Sequence, residues 1–414
     1  MKSSKKFAAA LITINIGLLA ALGLLILSTQ EKVPSKQTPE QLKSLPYLNW
    51  IQVSKDNLIK KGVTVHDKDL CFKGINLFNY DGFQEAYLMD MSGITLHTWF
   101  YQNHPWHHVE MYENGDLLGV VNNVMLVKLD WDSHLIWKSE MRYHHDVAIS
   151  DNGDIYALIR EVETIPHKSE NIPIINDCLV VLSSDGLIKK KISIYDLFGP
   201  EIPGKAKQKI YDYVQEQKEK KENVPIDPFL NFDVFDVFHT NTVELITRDI
   251  KGLANRGDVL ICIRNVNTIA IIDVEKEQIV WRLQRVDVDW PHQPTLNNGN
   301  ILIFDNGSHR NYSRVININP LTGKKVWEYE ADPKGSFFSV TRGGSQKLPN
   351  GNILITESNK ARVFEITPEG KIVWEYFGTE IRERTKEKRP IYRMTRLKES
   401  AIPLVASRLK DSLL

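Results

Sequence analysis

VDVDWPHQPTLNNGNILIFDNG, residues 286–307, is the stretch from which the fold can be read. Asn298-Gly299 stands between two apolar runs. Both residues accept positive φ, so the pair signals a tight hairpin turn. The same phrase recurs along the chain: NGDLLGV from Asn114, NGDIYAL from Asn152, RGDVLIC from Arg256 and NGNILIT from Asn350. A unit written this often has to be read first as a repeat architecture.

A second phrase follows each of these, a strand, a turn and a strand ending near Trp. ARVFEITPEGKIVWEY (361–376) is the cleanest copy, with SRVININPLTGKKVWEY (313–329) and NTIAIIDVEKEQIVWRL (267–283) close to it. NVMLVKLDWDSHLIWKS (123–139) is looser, and CLVVLSSDGLIKKKI (178–192) has Lys190 where Trp would fall. EAYLMDMSGITLHTWF (85–100) comes first, with no NG phrase before it. Six such copies, with little helical periodicity between them, predict an all-β chain folded as a six-bladed β-propeller over residues 72–398. The Trp residues are expected to pack the outer strands. The first blade lacks a strand, and the β-like run 389–397 is unassigned. Pairing the two would close the ring and remove an exposed edge.

At 414 residues the chain suits one large β domain plus extras, and its 52 basic and 52 acidic residues give no reason to expect a nucleic-acid partner. After a short tip (1–6) with Lys2, Lys5 and Lys6, residues 7–28 run 22 residues without a charge. That length can cross a bilayer, and no A-x-A cleavage site ends it. The expectation is an uncleaved signal anchor, a single transmembrane helix in the inner membrane with the propeller on the periplasmic side. Residues 29–71 read as a linker, and 399–414 as a tail. Residues 196–230 interrupt the repeats, and their charged stretch KAKQKIYDYVQEQKEKKE reads as a solvated helix on an inserted loop. Three cysteines show no metal spacing, and Cys178 and Cys262 read as buried free thiols.

Histidines cluster just before the inner strands: His107 and His108, His144 and His145, His239, and His292. His108 and His292 stand six residues before the Asn of their turns, and His145 seven. A lone histidine there is ordinarily a hydrogen-bonded packing residue. Four blades contributing one each describe a channel site, because imidazoles titrate near neutrality and repel when protonated. A metal site and acid–base or nucleophilic chemistry on an anion both fit. Arg264, in an otherwise apolar strand, and Asn241, two residues after His239, favour an oxyanion pocket. Asp146 could be a cation ligand or could hold an imidazole.

HHDVAISDNGDIYAL, FHTNTVEL, VLICIRNVNTIAIID and PHQPTLNNGNILIFDNG together resemble the bacterial arylsulfotransferase (ASST) family. The resemblance implies a six-bladed propeller that moves a sulfuryl group from an aryl sulfate to a phenol, without a nucleotide sulfate donor, metal or cofactor. It implies that His292 is transiently sulfated, that Arg264 and Asn241 hold the sulfuryl oxygens, and that His239 and His145 assist proton transfer. His144, His108 and Thr341 are further candidates for substrate contact. A metal-dependent propeller with axial histidines, a quinone-cofactor dehydrogenase and a membrane-anchored binding propeller remain as alternatives.

Overall fold

The computed structural model of the chain describes residues 50–101, 105–220, 226–283, 287–398 and 400–411. The apolar run 7–28 lies outside them, and no helix among the described residues is long and apolar enough to cross a membrane.

Among the described residues the chain is all-β in its core, with six antiparallel sheets of four or five strands and a small three-stranded one. The second sheet is typical. Its strands Trp106–Met111, Leu117–Val121, Met125–Leu129 and Leu135–Ser139 pair in chain order. The first sheet is the exception. Its inner strand is Ile391–Leu397, which pairs antiparallel with Ile75–Tyr80, Leu397 opposite Ile75 and Ile391 opposite Tyr80. The other inner strands are Tyr143–Ile149, Thr240–Leu245, Pro291–Asn297 and Gly344–Lys347. Each inner strand touches the next, and the sixth returns to the first, so the six form a propeller-like ring.

Burial explains the sequence pattern. Val259–Ile263 and Thr268–Asp273 are buried at every residue, so they read as unbroken apolar runs covered on both faces. The outer strand Gln278–Arg282 alternates exposed and half-buried residues, as a strand with one packed face must. Six apolar clusters fill the six interfaces between neighbouring sheets. Leu118, Val120 and Leu126 of the second sheet, for example, meet Val147, Ile155 and Ala157 of the third.

The tryptophans do more than pack. The outer-strand indole of Trp137 donates its N–H to the Ser184 carbonyl in the outer turn of the next sheet, at 3.0 Å. Trp281 does the same to Pro320 (3.0 Å), Trp327 to Pro368 (2.8 Å) and Trp374 to Met91 (2.9 Å). In the first sheet His97 takes the place, its Nε2 2.8 Å from the Trp131 carbonyl. In the third, Lys190 donates to the Glu275 carbonyl at 3.1 Å. Every sheet is thus latched to its neighbour around the circle.

Two regions depart from the sequence reading. Gly62–His66 is not linker but a fifth strand on the sixth sheet, paired with Ile372–Phe377. Five residues, four half-buried and one exposed, are too few for periodicity to announce them. The inserted helix Gly204–Glu219 is not solvated all round. It buries Ile210 and Val214 in the same apolar cluster as Phe235, and Gln215 and Lys218 bond Glu170 on the long hairpin of the third sheet. Two apolar positions four residues apart suffice for a narrow buried stripe.

Candidate active site

Five of the six inner strands carry a β-bulge at the same level. The register slips at His107, at His145 and Asp146, at Asn241, at Gln293 and Pro294, and at Tyr392 and Arg393. Bulges next to functional sites re-aim side chains. The backbone is also held in the left-handed region at His145 (φ 57°), His239 (53°), Trp290 (55°), Gln293 (40°) and Arg342 (59°). Each such residue costs on the order of 1–3 kcal/mol, so the surrounding sheets have to impose it. Asn267, for instance, accepts the Trp290 N–H at 2.9 Å.

The bulges turn aromatic rings into one row. Tyr392 lies 4.4 Å from His107, His107 4.6 Å from His145 and His145 4.7 Å from His239, between ring centroids. Phe232, just past the inserted segment, stands 6.1 Å beyond His239. All these imidazoles are buried. Burial pushes His107 down to about 4 and holds His145 and His239 well below the ordinary imidazole value; Arg264 lowers His239 further. The row is therefore neutral at pH 7.

His292 continues the site on the next strand. Its Nδ1 lies 2.7 Å from Asn306 Oδ1 and 3.1 Å from the Trp290 carbonyl. Both are acceptors, so Nδ1 carries the hydrogen and Nε2 keeps its lone pair. Burial, then the Arg264 charge, pushes its pKa down to about 3. Arg264 follows the strand beside His239, its backbone N–H donating to the His239 carbonyl at 3.3 Å. Its guanidinium lies over the Trp290 ring at 4.5 Å and donates to Asn265 Oδ1 at 3.0 Å. Asn241 is fully buried and donates to the Pro291 carbonyl at 2.9 Å, tying its strand to that of His292.

Carboxylates brace this arrangement from behind. Asp236 accepts from His239 Nδ1, so the Nε2 of the neutral ring keeps its lone pair. His144 meets His145 through their Nδ1 atoms at 2.8 Å, and its Nε2 lies 3.3 Å from Asp177. Burial pushes the Asp177 carboxyl up to about 6, against the pull of Arg160. Asp146 joins neither His145 nor a ligand cluster. Its Oδ1 is 2.8 Å from Arg393 and 3.3 Å from His108, and its Oδ2 accepts the Val243 N–H, so it pins the inner strands together.

Of the residues expected from the sequence, His145 and His239 stand in the row, with Arg264 next to His239 and His292 near by. His144 supports His145 from outside. His108 meets none of these imidazoles: its ring lies 6.0 Å from Tyr392, and its Nε2 turns to Glu110 (3.0 Å) and Asp146. His107 takes its place, since the bulge between Trp106 and His108 shifts the phase by one. The signal was present: His107 and His145 both stand seven residues before their turn Asn, at 114 and 152. Thr341 is half-buried, its backbone N–H donating to Asn359 and its hydroxyl accepting from Arg342. Asp236, Trp290, Asn306 and Tyr392 were not expected. Among the described residues no three His, Cys, Asp or Glu side chains converge in a geometry that could hold a metal ion.

Comparison with known proteins gives one family. The model of the arylsulfotransferase (ASST) family matches residues 108–379. No curated protein matches the sequence. Similar solved structures include a protein of unknown function from Bacteroides caccae (12% identity, TM-score 0.47, covering 79% of this chain and 100% of that one). A virginiamycin B lyase from Staphylococcus aureus, crystallised as an inactive variant with quinupristin, shows 11% identity and a TM-score of 0.43 over 80% of this chain and 88% of its own. The WD40 β-propeller domain of Doa1 shows 8% and 0.40, over 76% and 78%.

Proposed function

From the premise that this chain belongs to the arylsulfotransferase (ASST) family, we propose that it transfers a sulfuryl group from an aryl sulfate to a phenol through a sulfated His292, with no nucleotide donor. The observation that carries this reading is the state of His292: buried, neutral, with Nδ1 engaged and Nε2 unengaged among the described residues, close to the buried Arg264 guanidinium. Nε2 attacks sulfur as the sulfur–oxygen bond to the aryl group breaks. Negative charge builds on the sulfuryl oxygens, where Arg264 stabilises it in a site with little water. A neighbouring imidazole, His239 or His145, takes up a proton from solvent when the anionic donor binds beside it, and as imidazolium protonates the departing phenolate. It takes the proton back from the incoming phenol in the second half. Splitting one transfer into two through a good nucleophile is the advantage of the covalent route.

In this reading the six sheets are the blades of a six-bladed propeller, and the rings line its axial channel. The apolar run 7–28 anchors that propeller to the inner membrane, facing the periplasm. Mass spectrometry of the mature chain tests the anchor, since a start near residue 30 would mean cleavage instead. The catalytic reading is tested with 4-nitrophenyl sulfate and a phenol, without added cofactor. Wild type should release nitrophenol, transfer to the phenol by ping-pong kinetics and gain one sulfuryl group on His292. His292→Ala should do none of these. A variant that still becomes sulfated would move the assignment to His239 or His145.

A further inference from the structure

Asn306 directly follows the second strand of the fifth sheet, Asn300–Asp305, and is completely buried. Its Nδ2 lies 2.7 Å from the Ser339 carbonyl and 2.8 Å from the Arg342 carbonyl. Only the amide nitrogen can face two carbonyls, so the orientation of the amide is set and Oδ1 must face His292. Oδ1 can only accept. The hydrogen of the neutral ring therefore sits on Nδ1, shared with the Trp290 carbonyl, and Nε2 is the nucleophilic atom.

We propose that Asn306 is a positioning residue that sets the tautomer of His292 and keeps its sulfated form reactive by offering the ring a neutral acceptor. The proposal rests on the sulfotransferase reading for its second half. When Nε2 forms its bond to sulfur, the electrons of the broken sulfur–oxygen bond leave with the aryl oxygen, which takes a proton from a neighbouring imidazolium, itself protonated from solvent when the anionic donor binds. The His292 ring retains Nδ1–H and so becomes an imidazolium bearing a sulfonate. A carboxylate at position 306 would stabilise that cation, as carboxylates do for imidazolium elsewhere. The Asn306 amide favours it only as a neutral acceptor and brings no countercharge, while burial and the charges of Arg264 and Arg393 oppose it. The intermediate stays high in energy and gives up its sulfuryl group readily, the N–S electrons returning to the ring.

Two measurements test this. Long-range proton–nitrogen spectra of the wild-type chain, with His292 assigned by its loss in His292→Gln, should show Nδ1 protonated and Nε2 bare from about pH 5 to 8, the range where an ordinary histidine titrates. The opposite tautomer, or an even mixture, overturns the proposal whatever the chain catalyses. In rapid mixing with 4-nitrophenyl sulfate, Asn306→Asp should keep a burst of nitrophenol but slow turnover tenfold or more, with sulfated enzyme accumulating. Asn306→Ala should slow the burst itself. If both variants retain the wild-type circular dichroism, burst and turnover, Asn306 only supports the fold. A wild type that neither bursts nor gains sulfate defeats the catalytic reading instead, and the spectra alone then judge the tautomer.

Discussion

Arg264 acts on its surroundings before any substrate arrives. Its charge adds to burial in holding His239 and His292 neutral, which is the state a nucleophile and a base need. Arg264→Ala should keep the nucleophile and lose charge stabilisation, at a cost of about 10²–10³ in rate, typical for one oxyanion donor. The sign of the pH effect follows. Without the nearby cation, imidazolium is less disfavoured, so the His292 pKa rises and the acid limb of kcat/KM moves to higher pH. An unmoved limb would mean that burial alone sets it. His239→Ala and His145→Ala should slow poor leaving groups most, and an activated nitrophenyl donor should partly rescue them. Equal losses with both donors would rule out their role in proton transfer.

At the level of strands, the latches explain a repeated word in the sequence. The indoles of Trp137, Trp281, Trp327 and Trp374 reach the outer turn of the next sheet, and where another residue holds that position, Lys190 or His97 supplies the donor. The chemistry conserved around the circle is a hydrogen, not a ring. Trp281→Phe and Trp327→Phe keep most of the packing but remove the N–H. Each should cost about 1 kcal/mol in urea unfolding, the net worth of one neutral hydrogen bond. A cost below a few tenths would reduce the latches to packing. The bulges belong to the same level. In the second sheet one extra residue turns the ring of His107 toward His145 and leaves His108 facing Asp146.

For the molecule as a whole, closure and acid sensitivity can be foreseen. Ile391–Leu397 covers the edge of Ile75–Tyr80. A chain truncated at residue 388 should expose that edge and aggregate, as measured by light scattering; a soluble monomer of full stability would argue against a closing role. The buried neutral histidines couple stability to pH. His107, His144, His145, His239 and His292 all have depressed folded-state values. The unfolded chain binds protons first as pH falls below about 6.5, so stability is present above that value and drains away beneath it. The slope is about 1.4 kcal/mol per pH unit for each histidine that titrates. Unfolding at successive pH values should show this decline, and His107→Phe should flatten it.

Local chemistry was enough to read the repeats, the hairpin turns and the apolar second and third strands, because turn preference and burial act within a few residues. It was also enough to single out His292, Arg264, His239 and His145. What could not be read depended on contacts between distant segments. The His107/His108 choice rests on a register slip against Leu117–Val121, which no count within one strand reveals. Asn306 matters because Ser339 and Arg342 orient its amide, and both are more than thirty residues away. Asp236, three residues before His239, was open to inspection, yet only folding turns its carboxylate onto Nδ1. Periodicity reports which face is buried; the atoms that meet there are settled by how six separate sheets pack.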